Sequence, residues 1–332
     1  MSLLHYIPAG KTTPIAINLD EQETVLQALL RAGFDIPNGC RAGACQSCLM
    51  KYDSGTVPSQ AQQGLKATQI ASGLFLSCRC VPQTPLSVSH TNTSREYFSA
   101  EVLEKDWLNE QVIGLRLKAH SPINYQSGQY MTLWKNPQTA RCYSLASLPD
   151  DETLEFHIKH IPGGEISDWI AKEIDSGDTL SLQGPVGECY YIPCDQPLLL
   201  AGIGTGLAPL CGILRKALES GHQQPVHLVV GGKSRTDFYL IEMLTDLAEC
   251  YEHFSLTFIS QSETGDFPQE AKKHSEIGDI YIWIQNKHPS QKNYRVYLCG
   301  AESFVKKMKK QCFLSGASMA NIHADIFSPF VS

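Results

Sequence analysis

Between residues 40 and 80 the chain places five of its twelve cysteines: Cys40, Cys45, Cys48, Cys78 and Cys80. No other feature restricts the fold as strongly, because thiols crowded on that scale must be cross-linked, hold a metal or be packed apart. The N-terminus, MSLLHYIPAGKTTPI, has neither a charged leader nor a sustained apolar stretch, so secretion is not expected and a cytoplasmic setting is. A reducing cytosol keeps thiols free, which leaves a metal site as the expectation for the cluster.

The rest of the composition bounds the answer. A chain of 332 residues exceeds the usual size of one core, and 42% apolar with 18% charged residues is a globular balance, so two or three domains are expected. The longest uncharged apolar stretch, residues 197–214, is interrupted by Gly202, Gly204, Gly206, Pro209 and Gly212. It is too short for a bilayer, and no integral membrane segment is expected. A formal charge of -7 disfavours nucleic acid as a partner. Most of the acidic excess lies in residues 93–192, with 15 acidic against 8 basic groups.

Texture along the chain suggests three parts. Strand-like pieces at Leu3 to Ile7 and Thr13 to Leu19 flank the turn Pro8-Ala9-Gly10, and a helix follows that Thr24 caps and Gly33 stops. The Ser, Thr and Asn-rich run Ser87 to Tyr97 reads as a linker, placing a boundary near residue 92. Residues 93–194 alternate apolar and polar side chains in short runs with one helix, Ile166 to Ile174, the pattern of a small antiparallel β-barrel. Residues 195–332 alternate strands (Leu198 to Ala201, Val226 to Val230, Leu256 to Ile259, Val296 to Cys299) with helices near Ala208 to Glu219, Phe238 to Glu249 and Ser303 to Phe313. That pattern predicts a doubly wound parallel sheet covered on both faces.

Cys40-Arg-Ala-Gly-Ala-Cys45-Gln-Ser-Cys48, with Cys78 after 29 further residues, has the C-x4-C-x2-C…C spacing of a plant-type 2Fe-2S cluster. Gly39, Ala42, Gly43 and Ala44 are small enough to let backbone N–H groups approach the sulfurs, whose hydrogen bonds set the potential. A structural zinc site uses the same residue type but pairs two C-x2-C knuckles, which the x4 arm does not match. Cys80 competes with Cys78 for the fourth position, since residues two apart on a strand share a face. The other seven cysteines read as packing residues.

On these residues the whole chain resembles the flavin-containing reductase components of bacterial oxygenases, in which a plant-type ferredoxin domain precedes a ferredoxin-NADP reductase-like module. Deoxysugar reductases share that layout. The resemblance implies a multidomain α+β and α/β fold: a β-grasp 2Fe-2S domain over residues 1–92, a flavin barrel over 93–194 and a nicotinamide domain over 195–332. Gln46 departs from the family, where Gly commonly follows the second cysteine.

The same resemblance assigns the flavin residues. Arg141-Cys-Tyr143-Ser144 is similar to the R-x-Y-S signature: Arg141 and Tyr143 share a strand face, a cation for a pyrophosphate and a ring for the isoalloxazine, while Ser144 supplies a hydroxyl near flavin N5. Gly163-Gly164-Glu-Ile-Ser167 resembles the G-G-x-x-S segment that holds the FAD diphosphate at a helix start, with Lys159 or His160 beside it.

For the nicotinamide, Gly202-Ile-Gly204-Thr205-Gly206 joins a buried strand to a helix and resembles the G-x-G-x-G-x-x-P loop of these reductases. Cys299-Gly300 matches the position beside the nicotinamide ring. Asp325 and Phe327 match the acidic-x-aromatic ending, with Asp325 where Glu is usual and Phe327 or Phe330 over the flavin. Lys233, Ser234 and Arg235 follow the second strand of that domain, where two cations and a hydroxyl suit a 2'-phosphate, although NADH is frequent in the family.

Nicotinamide delivers electrons in pairs and a 2Fe-2S cluster takes them singly, so a flavin is needed between them. The expected function is an NAD(P)H-dependent oxidoreductase, with FAD, a 2Fe-2S cluster and NADH or NADPH, passing electrons to an acceptor protein such as an oxygenase component. Ser144, Cys299 and Asp325 are its expected catalytic residues. A reductase of deoxysugar synthesis, a quinone or ferric diaphorase, and a non-enzymatic zinc-containing module are the competing expectations.

Overall fold

The structure, a computed structural model, describes residues 2–90 and 97–327. The first sheet comprises β1 (Leu3–Ile7), β2 (Ile15–Asn18), β3 (Leu49–Ser54), β4 (Leu74–Leu76) and β5 (Leu86–His90), in the order β2-β1-β5-β3-β4. Helix α1 (Val25–Arg31) lies between β2 and β3 in sequence and α2 (Ala67–Ala71) between β3 and β4. Thr24 starts α1 as a capping box, accepting from Gln27 N at 3.2 Å while Gln27 Oε1 accepts from Thr24 N at 2.9 Å. Gly33, at φ +83°, ends it: Gly33 N reaches Leu30 O and Phe34 N reaches Leu29 O, the paired bonds of a Schellman stop. Val25, Leu26, Ala28 and Leu29 are thereby turned into the core with Leu4, Tyr6 and Val88.

One expectation fails here. The run Ser87 to Tyr97 is not a linker throughout, because its first residues belong to β5, the central strand, which pairs with β1 in parallel and with β3 antiparallel. Leu86 and Val88 are buried and alternate with Ser87 and Ser89. That is the period of a half-buried strand, and the polar residues occupy only its outer face. The middle of the run, 91–96, lies outside the described residues, and Tyr97 already begins the next strand.

The second sheet contains β6 (Tyr97–Trp107), β7 (Val112–Ala119), β8 (Tyr130–Asn136), β9 (Thr139–Ser144), β10 (Leu154–Lys159) and β11 (Thr179–Val186), in the order β10-β7-β6-β11-β8-β9. All its pairs are antiparallel. A bridge between Leu145 and Phe156 joins the two outer strands, closing the sheet into a barrel. Ile166, Ile170 and Ile174, on and flanking α3 (Ser167–Glu173), enter the barrel core.

The third sheet is wholly parallel, as the alternating pattern predicts. Its members are β12 (Leu198–Ile203), β13 (Val226–Gly232), β14 (Phe254–Ser260), β15 (Ser275–Ile277), β16 (Arg295–Ala301) and β17 (Ile322–Phe327), ordered β15-β14-β13-β12-β16-β17. Helices α4 (Leu207–Glu219), α5 (Ile241–Cys250), α6 (Ile280–Lys287) and α7 (Glu302–Leu314) accompany it, and two separate apolar clusters cover its faces. The chain leaves β12 for β13 on one side and returns to β16 on the other. A crevice therefore opens at the carboxyl ends of β12 and β16, where parallel sheets bind ligands. Helix α5 begins later than the expected Phe238, because Leu240 takes a left-handed conformation at φ +56° and breaks the helical path before Ile241.

Candidate functional site

The cysteine loop curls because three of its residues, Arg41, Gly43 and Gln46, have positive φ of +49°, +89° and +53°. Gln46 thus occupies a backbone region that favours glycine, and its side chain donates to Gly64 O at 3.1 Å. The curl directs backbone N–H groups at sulfur. Cys45 N and Ala42 N donate to Cys40 Sγ at 3.2 and 3.4 Å, and Cys40 N and Ser47 N donate to Cys45 Sγ at 3.4 Å each. Such a nest of donors suits sulfur carrying negative charge, so the loop fits an iron-sulfur centre.

The four thiols stand as two pairs, Cys40 beside Cys45 and Cys48 beside Cys78. Among the described residues no three Cys, His, Asp or Glu side chains gather to hold a single ion. Cys80 stands apart from both pairs. It is fully buried in the first domain's core, where burial alone pushes its thiol up to about 12.

A fifth thiol reaches the loop from elsewhere. Cys142 of β9 stands against Cys40 and is the largest influence on it, pushing that thiol up to about 11. Cys142 was expected to be a packing residue. Period two along β9 identifies the face it shares, opposite Arg141 and Tyr143, but the partner on that face arises only when the two domains pack.

Arg141 sits 3.6 Å from the Glu165 carboxylate and 3.5 Å from Gly39 O. The signature strand is thereby brought to the Gly163-Gly164 turn. Gly163 has φ +74°, and a Cβ on Gly164 would lie 2.9 Å from Ile161 O and from Ser167 Oγ. Ser167 is buried and accepts from Ile161 N at 3.0 Å, closing the turn onto α3. Lys159 is exposed, whereas His160 pairs with Asp168 at 2.8 Å. Tyr143 packs on the barrel core, and its burial pushes the phenol up. An arginine beside a glycine turn and a half-buried aromatic on one strand fit a flavin diphosphate and ring.

At the crevice the backbone approaches closely. A Cβ on Gly202 would lie 2.6 Å from Leu210 Cδ1, and one on Gly206 only 2.2 Å from Cys299 O. Thr205 lies between Gly204 and Gly206 in the turn that leads into α4. Gly300, at φ +136°, lies against Ile203. Cys299 and Asp325 are register partners on β16 and β17. Ser144 Oγ, from the barrel, donates to Asp325 Oδ2 at 2.9 Å. Burial pushes the Asp325 carboxyl up to about 6, and the serine bond opposes only part of that. The Cys299 thiol is buried 3.8 Å from Cys189 Sγ. Ser144, Asp325 and Cys299 are thus brought together from two domains.

A neighbouring carboxylate organises the loop that carries Lys233, Ser234 and Arg235. Asp237 Oδ2 accepts from Lys233 N and Ser234 N at 2.6 and 3.2 Å, and Ser234 Oγ lies 2.8 Å from Thr236 Oγ1. Arg235 N donates to Thr264 O. An acidic side chain therefore sits among Lys233, Ser234 and Arg235 in a tight loop after β13. Phe327 ends β17 opposite Ala301, and Phe330 lies outside the described residues.

A 2Fe-2S domain, a flavin barrel and a nicotinamide sheet in this order define an electron-transferring flavoprotein reductase. Family comparisons agree: residues 9–83 match the 2Fe-2S iron-sulfur cluster binding domain, 99–191 the oxidoreductase FAD-binding domain and 199–310 the oxidoreductase NAD-binding domain. The chain is 31% identical over 312 residues to the ferredoxin–NAD(P)+ reductase component of the naphthalene 1,2-dioxygenase system of Pseudomonas putida, covering 92% of this chain and 93% of that protein. It is 30% identical over 328 residues to the reductase subunit of an aromatic O-demethylase from Amycolatopsis, covering 94% and 96%. The crystal structure of an Amycolatopsis cytochrome P450 reductase superposes with a TM-score of 0.69 at 28% identity over 100% of both chains.

The chain belongs to the family of iron-sulfur flavoprotein reductases that includes these oxygenase-system components. It is an NAD(P)H oxidoreductase with a 2Fe-2S cluster and FAD as cofactors. The zinc-containing module is therefore set aside. No described helix is long and apolar enough to cross a membrane.

Proposed function

We propose that this protein carries electrons from NAD(P)H through its flavin and cluster to an oxygenase component, or to the ferredoxin serving one, in the oxidation of an aromatic compound. The observation that carries the order is the 2.9 Å bond between Ser144 of the barrel and Asp325 of the parallel sheet, with the cysteine loop against the same barrel strand. The named relatives in dioxygenase and demethylase systems support the acceptor class. A chain with twelve cysteines and a 2Fe-2S domain favours a reducing, cytoplasmic setting. Within this reading residues 1–92, 93–194 and 195–332 are the three domains.

When bound, FAD would supply the exchange of paired for single electrons that a nicotinamide donor and a 2Fe-2S cluster require. The chain's residues prepare for that. Arg141, with Gly163, Gly164 and Ser167, would hold the flavin diphosphate, and Tyr143 would face the ring. The Gly202–Gly206 turn and Gly300 bring backbone close to the nicotinamide nucleotide, while Cys299 lines the ring's place. Asp325, whose carboxyl burial lifts to about 6, accepts from the Ser144 hydroxyl and can hold or release a proton at the junction. Cys40, Cys45, Cys48 and Cys78 would hold the cluster.

Anaerobic mixing of the holoprotein with NADH, followed by freeze-quench electron paramagnetic resonance, tests the order. Flavin bleaching should precede the reduced-cluster signal, and that signal should decay on adding the acceptor protein. An acceptor reduced while the cluster stays oxidised would show that electrons bypass it.

A further inference from the structure

Two side chains of the barrel reach across to the cysteine loop. Tyr130, which begins β8, donates its hydroxyl to Ala44 O at 3.1 Å, and Gln183 Oε1, on β11, accepts from Ser47 Oγ at 3.1 Å. The two strands are paired, with Thr132 opposite Gln183, Tyr130 opposite Val186 and an irregular register between them. A glycine seats the tyrosine ring. Gly187 has φ +105°, a Cβ on it would lie 3.0 Å from Tyr130 Cδ1 and Cε1, and its carbonyl accepts from Gln129 Nε2 at 3.0 Å. Any side chain there would push the ring aside, so the turn after β11 keeps Tyr130 aimed at the loop. At the loop's other end Ala140 and Trp134 press on Gly39, where a Cβ would lie 2.8 Å from Ala140 Cβ and 3.2 Å from Trp134 Cη2.

Each of these bonds acts on a residue whose backbone feeds a cysteine sulfur. A trans peptide points its C=O and its N–H in opposite directions. Ala44 O and the Cys45 N–H belong to one such peptide, so holding the oxygen on Tyr130 aims the N–H the other way, where it donates to Cys40 Sγ at 3.2 Å. Gln183 holds Ser47 by its hydroxyl, and the Ser47 N–H donates to Cys45 Sγ at 3.4 Å. A hydrogen bond on the carbonyl also polarises the amide, strengthening it as a donor by about 10–30%. N–H groups aimed at ligand sulfur stabilise the reduced cluster, whose extra negative charge is spread over its sulfurs.

We propose that Tyr130, assisted by Gln183, is a positioning residue for the cluster: from the neighbouring domain it aims the Cys45 N–H at the Cys40 sulfur and so raises the cluster's reduction potential. The bonds move no proton and change no valence. This inference rests on the reading of Cys40 and Cys45 as iron ligands.

The test is a potentiometric titration of the full-length holoprotein, followed by electron paramagnetic resonance and accompanied by thermal melts, for wild type, Tyr130→Phe and Gln183→Met. Phenylalanine keeps the ring and removes only the donor, and methionine keeps the length of glutamine and removes the acceptor. Because the bond to sulfur is weakened rather than deleted, Tyr130→Phe should lower the cluster's reduction constant about two- to fourfold, roughly 20–35 mV at one electron. Gln183→Met should shift it the same way. A role confined to docking the domains would lower Tm and leave the potential alone, so Tyr130→Phe at the wild-type potential would overturn the proposal at any Tm. If Tyr130→Phe fails to take up a cluster, an unmoved Gln183→Met would do so instead. A wild type with no reduced-cluster signal would instead sink the ligand reading itself, taking the proposal with it.

Discussion

Gly206→Ala probes the crevice directly. A methyl at residue 206 would stand 2.2 Å from Cys299 O, 2.5 Å from Cys299 C and 2.9 Å from Gly300 N. All three are backbone atoms of β16, so no side-chain rotation relieves the clash. Ordinary contact begins near 3.4 Å, so the start of α4 and the end of β16 must part by about 1.2 Å. Overpacking of this kind costs roughly 1–3 kcal/mol, and a domain of this size loses about 2–4 °C of Tm per kcal/mol. A displacement near 1 Å at a reacting pair lowers its rate on the order of 100-fold. Gly204→Ala is the control. Gly204 has φ +54° but nothing within 4 Å of its missing Cβ, so alanine there meets only left-handed backbone strain of about 1–2 kcal/mol. Anaerobic stopped-flow of flavin bleaching by NADH and by NADPH, with thermal melts, should find Gly206→Ala far slower than Gly204→Ala. Near-wild-type bleaching by Gly206→Ala at an unchanged Tm, or greater damage from Gly204→Ala, would refute the argument that close backbone approach shapes this crevice.

Other outcomes follow from the same geometry. Because burial raises the Asp325 carboxyl from its usual 3.8 to about 6, the folded chain binds more protons than the unfolded chain between those values. Its stability then falls as pH rises through that window, by roughly 3 kcal/mol. Flavin-free Asp325→Asn should match wild type in urea near pH 4 and exceed it near pH 7.5, and parallel pH curves would contradict this. Cys78→Ala should abolish cluster uptake, whereas Cys80→Ala should retain iron and sulfide and lose about 1–2 kcal/mol from its core position. Iron and acid-labile sulfide assays on the two variants check this, and the reverse pattern would move the fourth ligand to Cys80.

What could be read along the chain was what depends on neighbours in sequence. The spacing of Cys40, Cys45 and Cys48 lies within one loop, the Thr24 cap and Gly33 stop are local chemistry, and the parallel sheet follows from strands alternating with helices. Ser87 and Ser89 misled because a polar outer face looks like a linker when the buried Leu86 and Val88 between them are given too little weight. Cys142 was missed for another reason: its partner Cys40 is 102 positions away, and only the docking of two domains brings them together. Asp237 went unremarked among Lys233, Ser234 and Arg235 because the backbone bonds that fix its carboxylate exist only in the folded loop.

Strand β9 turns Arg141 and Tyr143 one way and Ala140 and Cys142 the other, so one face meets the Gly163-Gly164 turn through Glu165 and the other lies against Gly39 of the cysteine loop. A one-residue insertion or deletion ahead of Arg141 would exchange the faces, presenting a guanidinium to the cysteine loop and a thiol to the glycine turn. Neither centre could then drift in sequence independently of the other, and a transplanted ferredoxin module would have to match the barrel's pleat as well as carry its own four ligands.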